Sequence, residues 1–187
     1  MPGSRAEGRS IEERIQEIED RQDIYDCVMR YSRGIDRLDR EVLLSAYHPG
    51  AIDDHGATFI GPVEGFADVV LQFHDTYQEY TQHHITNHRC EIDGDVATAE
   101  SYFIFRCINR TAPWYNISSG RYLDRMERRD GRWAIAERIC IVEARDEIWG
   151  PEGNVGNEGY VVGTRDRSDP SYRRPLKTDP SRLGKNP

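Results

Sequence analysis

The amino-terminal third of the chain has apolar residues at helical spacing. They are Ile11, Ile15, Ile18, Ile24, Val28, Tyr31 and Ile35. Ser10 precedes this run and Glu13 follows Ser10 by three positions, which is the capping-box pattern of a helix start. A glycine such as Gly34 is typical of a helix end. The pattern predicts one long helix that ends near Gly34, or two helices that separate near Asp20–Asp23.

Two shorter helices are predicted before Tyr80. The first covers about 39–47 and stops at His48-Pro49-Gly50, because the residue before a proline disfavours the helical conformation. The second opens at Pro62, a favoured first position, and continues to about Gln78. Its apolar side comprises Phe66, Val69, Val70 and Phe73. Residues 51–60 fit either a short strand or an irregular loop.

Beyond Tyr80 the chain alternates β-branched or aromatic residues with polar ones, which is typical of strands. Strands are predicted at 82–92, 95–108, 115–128 and 132–144. Asp93-Gly94-Asp95 and Asp130-Gly131 separate strand pairs, and Asp-Gly favours tight hairpins. Helices followed by an antiparallel meander predict an α+β fold with the helices gathered on one face of the sheet.

Composition divides the chain into three parts. We expect a disordered leader at 1–9, one folded α+β domain at 10–145 and an extended tail at 146–187 that is rich in Gly, Pro and charged residues. The first half of the tail is expected to drape over a neighbouring subunit or a pocket mouth, anchored by Trp149 and Tyr160-Val161-Val162. The last dozen residues are expected to be disordered.

Charge and cysteine usage narrow the classes of function. The 187 residues carry a formal net charge of -8, which argues against nucleic acid as the main partner because phosphate binding needs a basic face. No apolar run is long enough to cross a membrane, and the first residues lack the apolar core of a secretory signal. Cys27, Cys90, Cys107 and Cys140 lie far apart without metal-ligand spacing. This usage predicts free thiols, no zinc site and a reducing cytoplasm.

Three segments of the chain resemble a known family. They are YSRGIDRLDREVLLSAYHPGAIDDHG at 31–56, TQHHITNHRCEIDGDVATAESYF at 81–103 and GRYLDRMERRDGRWAI at 120–135. Their order and spacing are similar to those of the SnoaL-like branch of the nuclear transport factor 2-like superfamily. The resemblance covers roughly residues 25–145. It implies a cone-shaped barrel, in which a curved, mostly antiparallel sheet holds the N-terminal helices on its concave face.

Dehydratases and a dehydrochlorinase of this superfamily have catalytic residues at matching positions. The match implies that Asp36 and His83 form a catalytic pair, with Tyr31 beside them. Those enzymes need no metal or organic cofactor. The chain departs from the dehydratase pattern at two positions, since a second catalytic histidine there falls near Arg106 and a substrate-orienting tyrosine falls near Asp54.

The strand pattern by itself predicts an inward His83. Adjacent strand residues point to opposite faces, so His83 and His84 lie on different sides of the sheet. His84 would share its face with Thr86 and His88, a polar set that suits solvent. His83 therefore takes the inward face. A carboxylate beside this imidazole would fix its tautomer and stabilise the imidazolium, as general-base catalysis requires.

Five further positions are candidates for substrate binding. The resemblance puts the face of Tyr102 and Arg106 inward, where a guanidinium would need an acid or an anionic substrate, and a solvent-exposed rim position is the alternative. Tyr122 falls on a pocket-lining position of the family and could donate to a developing oxyanion. Tyr31 could do the same or pack in the core. His55 is a second acid or base, or a loop residue bonded to the acids beside it.

Together these features predict a cofactor-independent lyase that acts on a hydrophobic, aromatic or polycyclic small molecule. Proton abstraction by His83 would lead to loss of water or another small group, or to a retro-aldol C–C cleavage that releases a small aldehyde. A double-bond isomerase and a non-catalytic binding or assembly module are the alternatives, although a binding module needs no inward aspartate facing an inward histidine. Compact metal-ligand spacing is absent from the sequence, so no metal is expected. Apolar helix faces and sheet exteriors favour a homo-oligomer, either a dimer or a trimer.

Overall fold

The structure is a computed structural model that describes residues 8–150 and 160–182. The helices in these ranges are α1 Ile11–Asp36, α2 Arg40–Leu44 and α3 Val63–Tyr77. The strands are β1 Tyr47–Asp54, β2 Ile60–Pro62, β3 Gln78–Asp93, β4 Val96–Asn109, β5 Tyr115–Arg129 and β6 Arg132–Ile148. Short 3-10 turns follow at Pro170–Tyr172 and Pro180–Arg182.

The long α1 is one continuous helix, the first of the two predicted alternatives. It begins with the predicted capping box: Ser10 Oγ accepts from the Glu13 amide at 3.1 Å, and Glu13 Oε2 accepts from the Ser10 amide at 2.8 Å. Its apolar stripe is buried from Ile24 onward, whereas the three isoleucines of the first turns are exposed. The predicted homo-oligomer, for which these exposed side chains are candidate contacts, stays a prediction.

The second helix is shorter than predicted, because Tyr47 begins β1 instead of ending α2. For residues 51–60 the alternatives were a short strand or an irregular loop. Residues 51–54 belong to strand β1, and residue 60 begins strand β2. α2 packs tightly on the end of α1 at Gly34, where an added Cβ would lie 2.4 Å from the backbone nitrogen of Leu43. This close approach fixes the last turn of α1, which carries Asp36.

The third helix has the predicted extent, but its buried face is rotated from the predicted one. Phe66 and Val70 are buried as predicted, while Val69 and Phe73 are exposed. His74 takes the next buried position on that face. The reason is helical geometry, because positions 66, 70 and 74 recur every four residues and share one stripe.

The six strands form one sheet in the order β2-β1-β6-β5-β4-β3. All neighbours are antiparallel except β1 and β6, which are parallel. Both predicted hairpins are present, with positive φ at Gly94 (60°), Asp130 (52°) and Gly131 (75°). The curved sheet is not closed, and the helices lie on one of its faces. The predicted α+β, cone-shaped architecture is therefore confirmed.

Residues 160–182 of the tail lie on the chain's own folded domain. Arg165 Nη1 donates to the carbonyl oxygens of His74, at 3.0 Å, and Gln78, at 2.7 Å. Asp169 Oδ2 accepts from Arg37 Nη1 at 3.2 Å. The remaining parts of the predicted leader and tail, residues 1–7, 151–159 and 183–187, lie outside the described residues. The described stretch thus supports the end of α3 and the start of β3 from outside.

Candidate active site

Asp36 and His83 meet where α1 ends against β3. Asp36 Oδ1 accepts from His83 Nδ1 at 2.8 Å, and Asp36 Oδ2 accepts from the His83 backbone amide at 2.8 Å. The carboxylate therefore holds both the ring and the backbone of the histidine. The contact predicted between these two residues is present in the structure.

The electrostatics of this pair favour a charged acid. The side chains are 14% exposed for Asp36 and 7% for His83. Burial alone would raise the pKa of the Asp36 carboxyl, but the charge and hydrogen bonds of His83 outweigh it and hold that pKa below its ordinary value. A carboxylate that accepts from Nδ1–H leaves the lone pair of His83 on Nε2.

His83 borders a cavity of about 270 Å³ between the helices and the sheet. Its apolar wall includes Ile35, Val70, Phe73, Phe103, Phe105 and Val142. Its polar groups include Tyr31, His55, His74, Gln78, Asn116, Ser118, Tyr122 and Arg145. A cavity that combines an apolar wall with polar groups at defined positions is typical of sites for small organic molecules.

A second carboxylate-backed imidazole borders the same cavity. His55 follows β1, and its Nδ1 contacts Oδ1 of Asp53. Tyr47 donates to Oδ2 of Asp53 at 2.7 Å, so both oxygens of this fully buried carboxylate are engaged. On the far side of the ring, His55 Nε2 lies 3.0 Å from the Tyr31 hydroxyl. His55 is bonded to the neighbouring Asp53, as expected for a loop residue, and it also borders the cavity, as a second acid or base would.

A third histidine of the cavity, His74, was missed in the sequence. Its Nδ1 contacts the side-chain oxygen Oε1 of Gln78, and its ring centre lies 6.4 Å from that of His83. Burial and the nearby charges of His83 and Arg165 lower the pKa of His74 to about 4. His74 is therefore neutral at neutral pH, and donation from Nδ1 to Gln78 leaves Nε2 as an acceptor. The four-residue spacing from Val70 was the signal that could have found it.

The buried, neutral state of His74 makes stability depend on pH. The unfolded chain binds a proton at this histidine below its ordinary value of 6.5, whereas the folded chain does so only below about 4. The free energy of unfolding should therefore fall between these values as pH decreases, by about 3 kcal/mol in all for this group. Urea unfolding at neutral pH and at the lower end of this range measures the loss. His74→Gln should show a smaller loss than wild type, while a variant of the exposed His84 should match wild type. An equal loss in His74→Gln would contradict the assignment.

Arg138 and Asp124 form a buried ion pair next to the cavity tyrosines, and the sequence analysis missed it. Arg138 Nε and Nη2 donate to the two Asp124 oxygens at 2.7 and 2.8 Å. The guanidinium carbon lies 4.1 Å from the ring centre of Tyr31 and 4.2 Å from that of Tyr122. Burial raises the pKa of the Tyr122 hydroxyl, so this group keeps its proton and can donate it. The cation thus lies against the rings of two tyrosines that border the cavity.

The predicted inward face of β4 is wrong. Tyr102 is 39% exposed and Arg106 is also exposed, whereas Phe103 is buried and Phe105 borders the cavity. The cause is the strand pairing. His83 lies opposite Phe105, and directly paired residues on neighbouring strands share a face. Tyr102 and Arg106 therefore lie on the outer face, away from the cavity.

A β-bulge in β3 also corrects the predicted position of His88. The pairing with β4 shifts by one residue between Ile85 and His88. His88 turns inward there, where it is half-buried and its Nδ1 lies 2.8 Å from Ser101 Oγ. The prediction that His88 shares the solvent face of His84 is wrong, because the extra residue of a bulge reverses the alternation.

Other surface features of the described residues are weaker candidates for a functional site than this cavity. Three larger clefts, of about 750, 710 and 370 Å³, lie elsewhere and are bordered by charged side chains that already have partners, such as Arg132, Arg128 and Arg165. Within 8–150 and 160–182, three or more His, Cys, Asp or Glu side chains nowhere gather as a metal-binding group. None of the helices in those ranges combines the length and the hydropathy needed to cross a bilayer.

Comparison with solved structures identifies proteins of similar fold. The hexachlorocyclohexane dehydrochlorinase LinA-type3 from Novosphingobium barchaimii is 19% identical, with a TM-score of 0.67 over 76% of this chain and 99% of that one. A candidate scytalone dehydratase from Novosphingobium aromaticivorans is 17% identical, with a TM-score of 0.64 over 78% of this chain and 97% of that one. The Kfla4162 protein from Kribbella flavida is 16% identical, with a TM-score of 0.63 over 70% and 95%. At these identities the likeness shows the fold.

Comparison of the sequence gives the family. No curated protein matches the chain. A family model of the SnoaL-like domain matches residues 16–139, which is more than half of the chain. The match includes the helices and strands that border the cavity except residues 11–15 of α1 and 140–148 of β6. The chain belongs to the SnoaL-like family.

Proposed function

We propose that this protein is a cofactor-independent lyase for a small hydrophobic carbonyl compound. The observation that supports this most directly is the Asp36–His83 pair, joined by two hydrogen bonds at the wall of an apolar cavity. Asp36 and His83 are the proposed catalytic residues. Tyr31, His55 and Tyr122 border the same cavity and are proposed to contact the substrate or the departing group.

His83 is proposed to act as the general base. Asp36 accepts from Nδ1–H and so keeps the lone pair on Nε2, which takes a proton from the carbon beside the substrate carbonyl. The imidazolium that forms is stabilised by the Asp36 carboxylate. A positioned base of this kind contributes about 10²- to 10⁴-fold to the rate.

The Tyr122 hydroxyl is proposed to stabilise the enolate oxygen. It stays protonated because burial raises its pKa, and a donor held where negative charge develops stabilises that charge. The Phe103 ring stacks on Tyr122 at 4.5 Å between ring centres, which restricts the orientation of the hydroxyl. A donor fixed in this way needs little reorganisation when charge develops on the substrate.

The cavity volume narrows the predicted substrate. An engineered protein cavity of about 150 Å³ holds one benzene ring. The cavity beside His83, at about 270 Å³, has room for one ring with a short side chain or for two fused rings. The names of two structures with this fold, a dehydrochlorinase and a candidate scytalone dehydratase, are those of elimination enzymes and support the reaction class.

The aldol adduct of benzaldehyde and acetone is a suitable probe, because it is a single-ring β-hydroxy ketone whose products report the reaction. Elimination gives benzylideneacetone and water, whereas retro-aldol cleavage gives benzaldehyde and acetone. We expect the wild-type protein to form benzylideneacetone faster than the same concentration of free imidazole does, measured by absorbance and chromatography. Benzaldehyde as the main product would identify the C–C cleaving form of the same lyase. Binding of the adduct without either product would indicate a non-catalytic module and contradict the proposal.

A further inference from the structure

We propose that Tyr31, His55 and Asp53 form the acid half of the site, in which His55 resupplies the proton that Tyr31 gives to the departing oxygen. We call these three residues the acid chain. This inference rests on the proposed function, since an elimination is the step that the acid chain would assist. It makes the protein a dehydratase that acts on β-hydroxy carbonyl compounds.

The acid chain and the base border one cavity from different elements. Tyr31 comes from α1, His55 follows β1, and His83 comes from β3. The ring centre of Tyr31 lies 6.3 Å from that of His55 and 6.3 Å from that of His83. A small molecule in this cavity can therefore contact a proton acceptor and a proton donor at the same time.

His55 lies in direct contact with the buried Asp53 carboxylate. Asp53 is fully buried, and among the described residues its ion-pair contact is with His55. Removing a carboxylate from water is costly unless a counter-charge and hydrogen bonds compensate for it. The hydroxyl of Tyr47 supplies a hydrogen bond to Asp53 at 2.7 Å, but it carries no charge. In the proposed acid chain a protonated His55 supplies a charge in direct contact with Asp53, whereas Arg138, opposite Asp53 in the sheet, is bonded to Asp124. The Nε2–H of His55 then points to the Tyr31 oxygen 3.0 Å away.

Tyr31 needs this resupply because it cannot remain a phenolate. Burial, together with the neighbouring Tyr122 and Tyr47, raises the pKa of Tyr31 well above its ordinary value, although Arg138 opposes the shift. A buried phenolate left behind after proton donation would therefore be a high-energy species. Transfer of a proton from His55 in the same step avoids it.

The proposed step balances in atoms and electrons. His83 Nε2 takes the proton from the carbon beside the carbonyl, and that C–H electron pair forms the enolate, whose collapse makes the C=C bond of the product. The C–O bond breaks with its pair on oxygen, and this oxygen takes the Tyr31 proton and leaves as water. Tyr31 takes the Nε2 proton of His55. His83 ends protonated and His55 neutral, and exchange with solvent restores both.

The chemistry of the leaving group distinguishes proton donation by the acid chain from a purely structural role of the same residues. Hydroxide is a poor leaving group and needs a proton, whereas chloride departs with its electron pair and needs none. The probes are the aldol adduct of benzaldehyde and acetone and the matching β-chloro ketone, which both give benzylideneacetone. His55→Gln should lower the ratio of kcat for the hydroxy ketone to kcat for the chloro ketone by about 10²-fold, once uncatalysed elimination is subtracted.

Two further variants separate the possible outcomes. Asp53→Asn removes the buried charge with little change in shape and should lower the same ratio, so it carries the test if His55→Gln does not fold. His83→Gln should lower turnover of both ketones and leave the ratio within a few-fold of wild type.

Equal losses on both ketones in His55→Gln and in Asp53→Asn, or no loss, would overturn the acid chain while the base assignment stands. Full turnover of both ketones by His83→Gln would overturn the proposed function instead.

Discussion

Replacing Asp36 by asparagine, or His83 by glutamine, is expected to lower kcat for the β-hydroxy ketone by roughly 10³- to 10⁴-fold. Glutamine at 83 removes the base outright. Asparagine at 36 keeps the shape of the carboxylate but changes what it can accept. Its amide group facing Nδ1 would donate, which moves the ring proton to Nε2 and removes the lone pair that abstracts the substrate proton. Steady-state turnover of the purified variants measures the effect.

The two changes should not add, because the residues act as one unit. The double variant is expected to be no slower than the slower single variant within a few-fold. Binding of benzylideneacetone, followed by tryptophan or tyrosine fluorescence, should weaken by less than tenfold in each variant, since the cavity wall remains. Asp68→Asn is the matched control, because Asp68 is exposed and pairs with Arg40 on the surface. An Asp36→Asn variant that keeps more than a tenth of wild-type kcat would contradict the proposed tautomer control.

Local patterns predicted the elements of this fold well. The capping box at Ser10 and the two Asp-Gly hairpins depend on short-range hydrogen bonding and backbone conformation, which neighbouring residues determine. The α+β layering followed from the order of helical and strand periodicities. The inward His83 followed from strand alternation, because its stretch of β3 is regular.

Bulges explain the errors in the sheet. Asp93 and Val96 are paired at the hairpin between β3 and β4. If the register stayed regular from there, His83 would pair with Arg106 and both would lie on the inner face. The bulge between Ile85 and His88 shifts the pairing by one, so that Phe105 lies opposite His83 instead. A shift of one residue exchanges the two faces of a strand. Nothing in the local sequence marks this bulge, since it contains no glycine and no proline.

The Arg138–Asp124 pair was missed for a related reason. Arg129 and Arg132 are paired at the hairpin between β5 and β6. If the register stayed regular from there, Glu137 would lie opposite Asp124, and the two side chains have like charges. An irregularity at Arg125–Met126 shifts the pairing and brings Arg138 opposite Asp124. The favourable ion pair therefore exists only in the shifted register. In that register Arg138 also packs on the rings of Tyr31 and Tyr122, which come from other elements, so a local pattern does not indicate it.

Replacing Arg138 by methionine is expected to lower the free energy of unfolding by about 3–5 kcal/mol, because it leaves the Asp124 carboxylate buried without a counter-charge. Both side chains are fully buried and are joined by two hydrogen bonds. Thermal unfolding should show the loss as a decrease in Tm of roughly 6–20 °C, at about 2–4 °C per kcal/mol for a domain of this size. Arg89→Met is the matched control, since Arg89 and Glu91 are 67% and 68% exposed and such pairs contribute about 1 kcal/mol or less.

The double variant Arg138→Met/Asp124→Leu separates the unpaired charge from the loss of packing. Apolar replacement of a whole buried ion pair is often neutral, so we expect most of the lost stability to return. Turnover of the hydroxy ketone should nevertheless stay below wild type, because the Arg138 charge opposes the rise in the pKa of Tyr31 and its removal makes that hydroxyl a weaker acid. Recovery of stability with full turnover would show that the cation supports the fold without assisting proton transfer. A double variant as unstable as Arg138→Met would show that the guanidinium stabilises the fold through the tyrosine rings and not through Asp124.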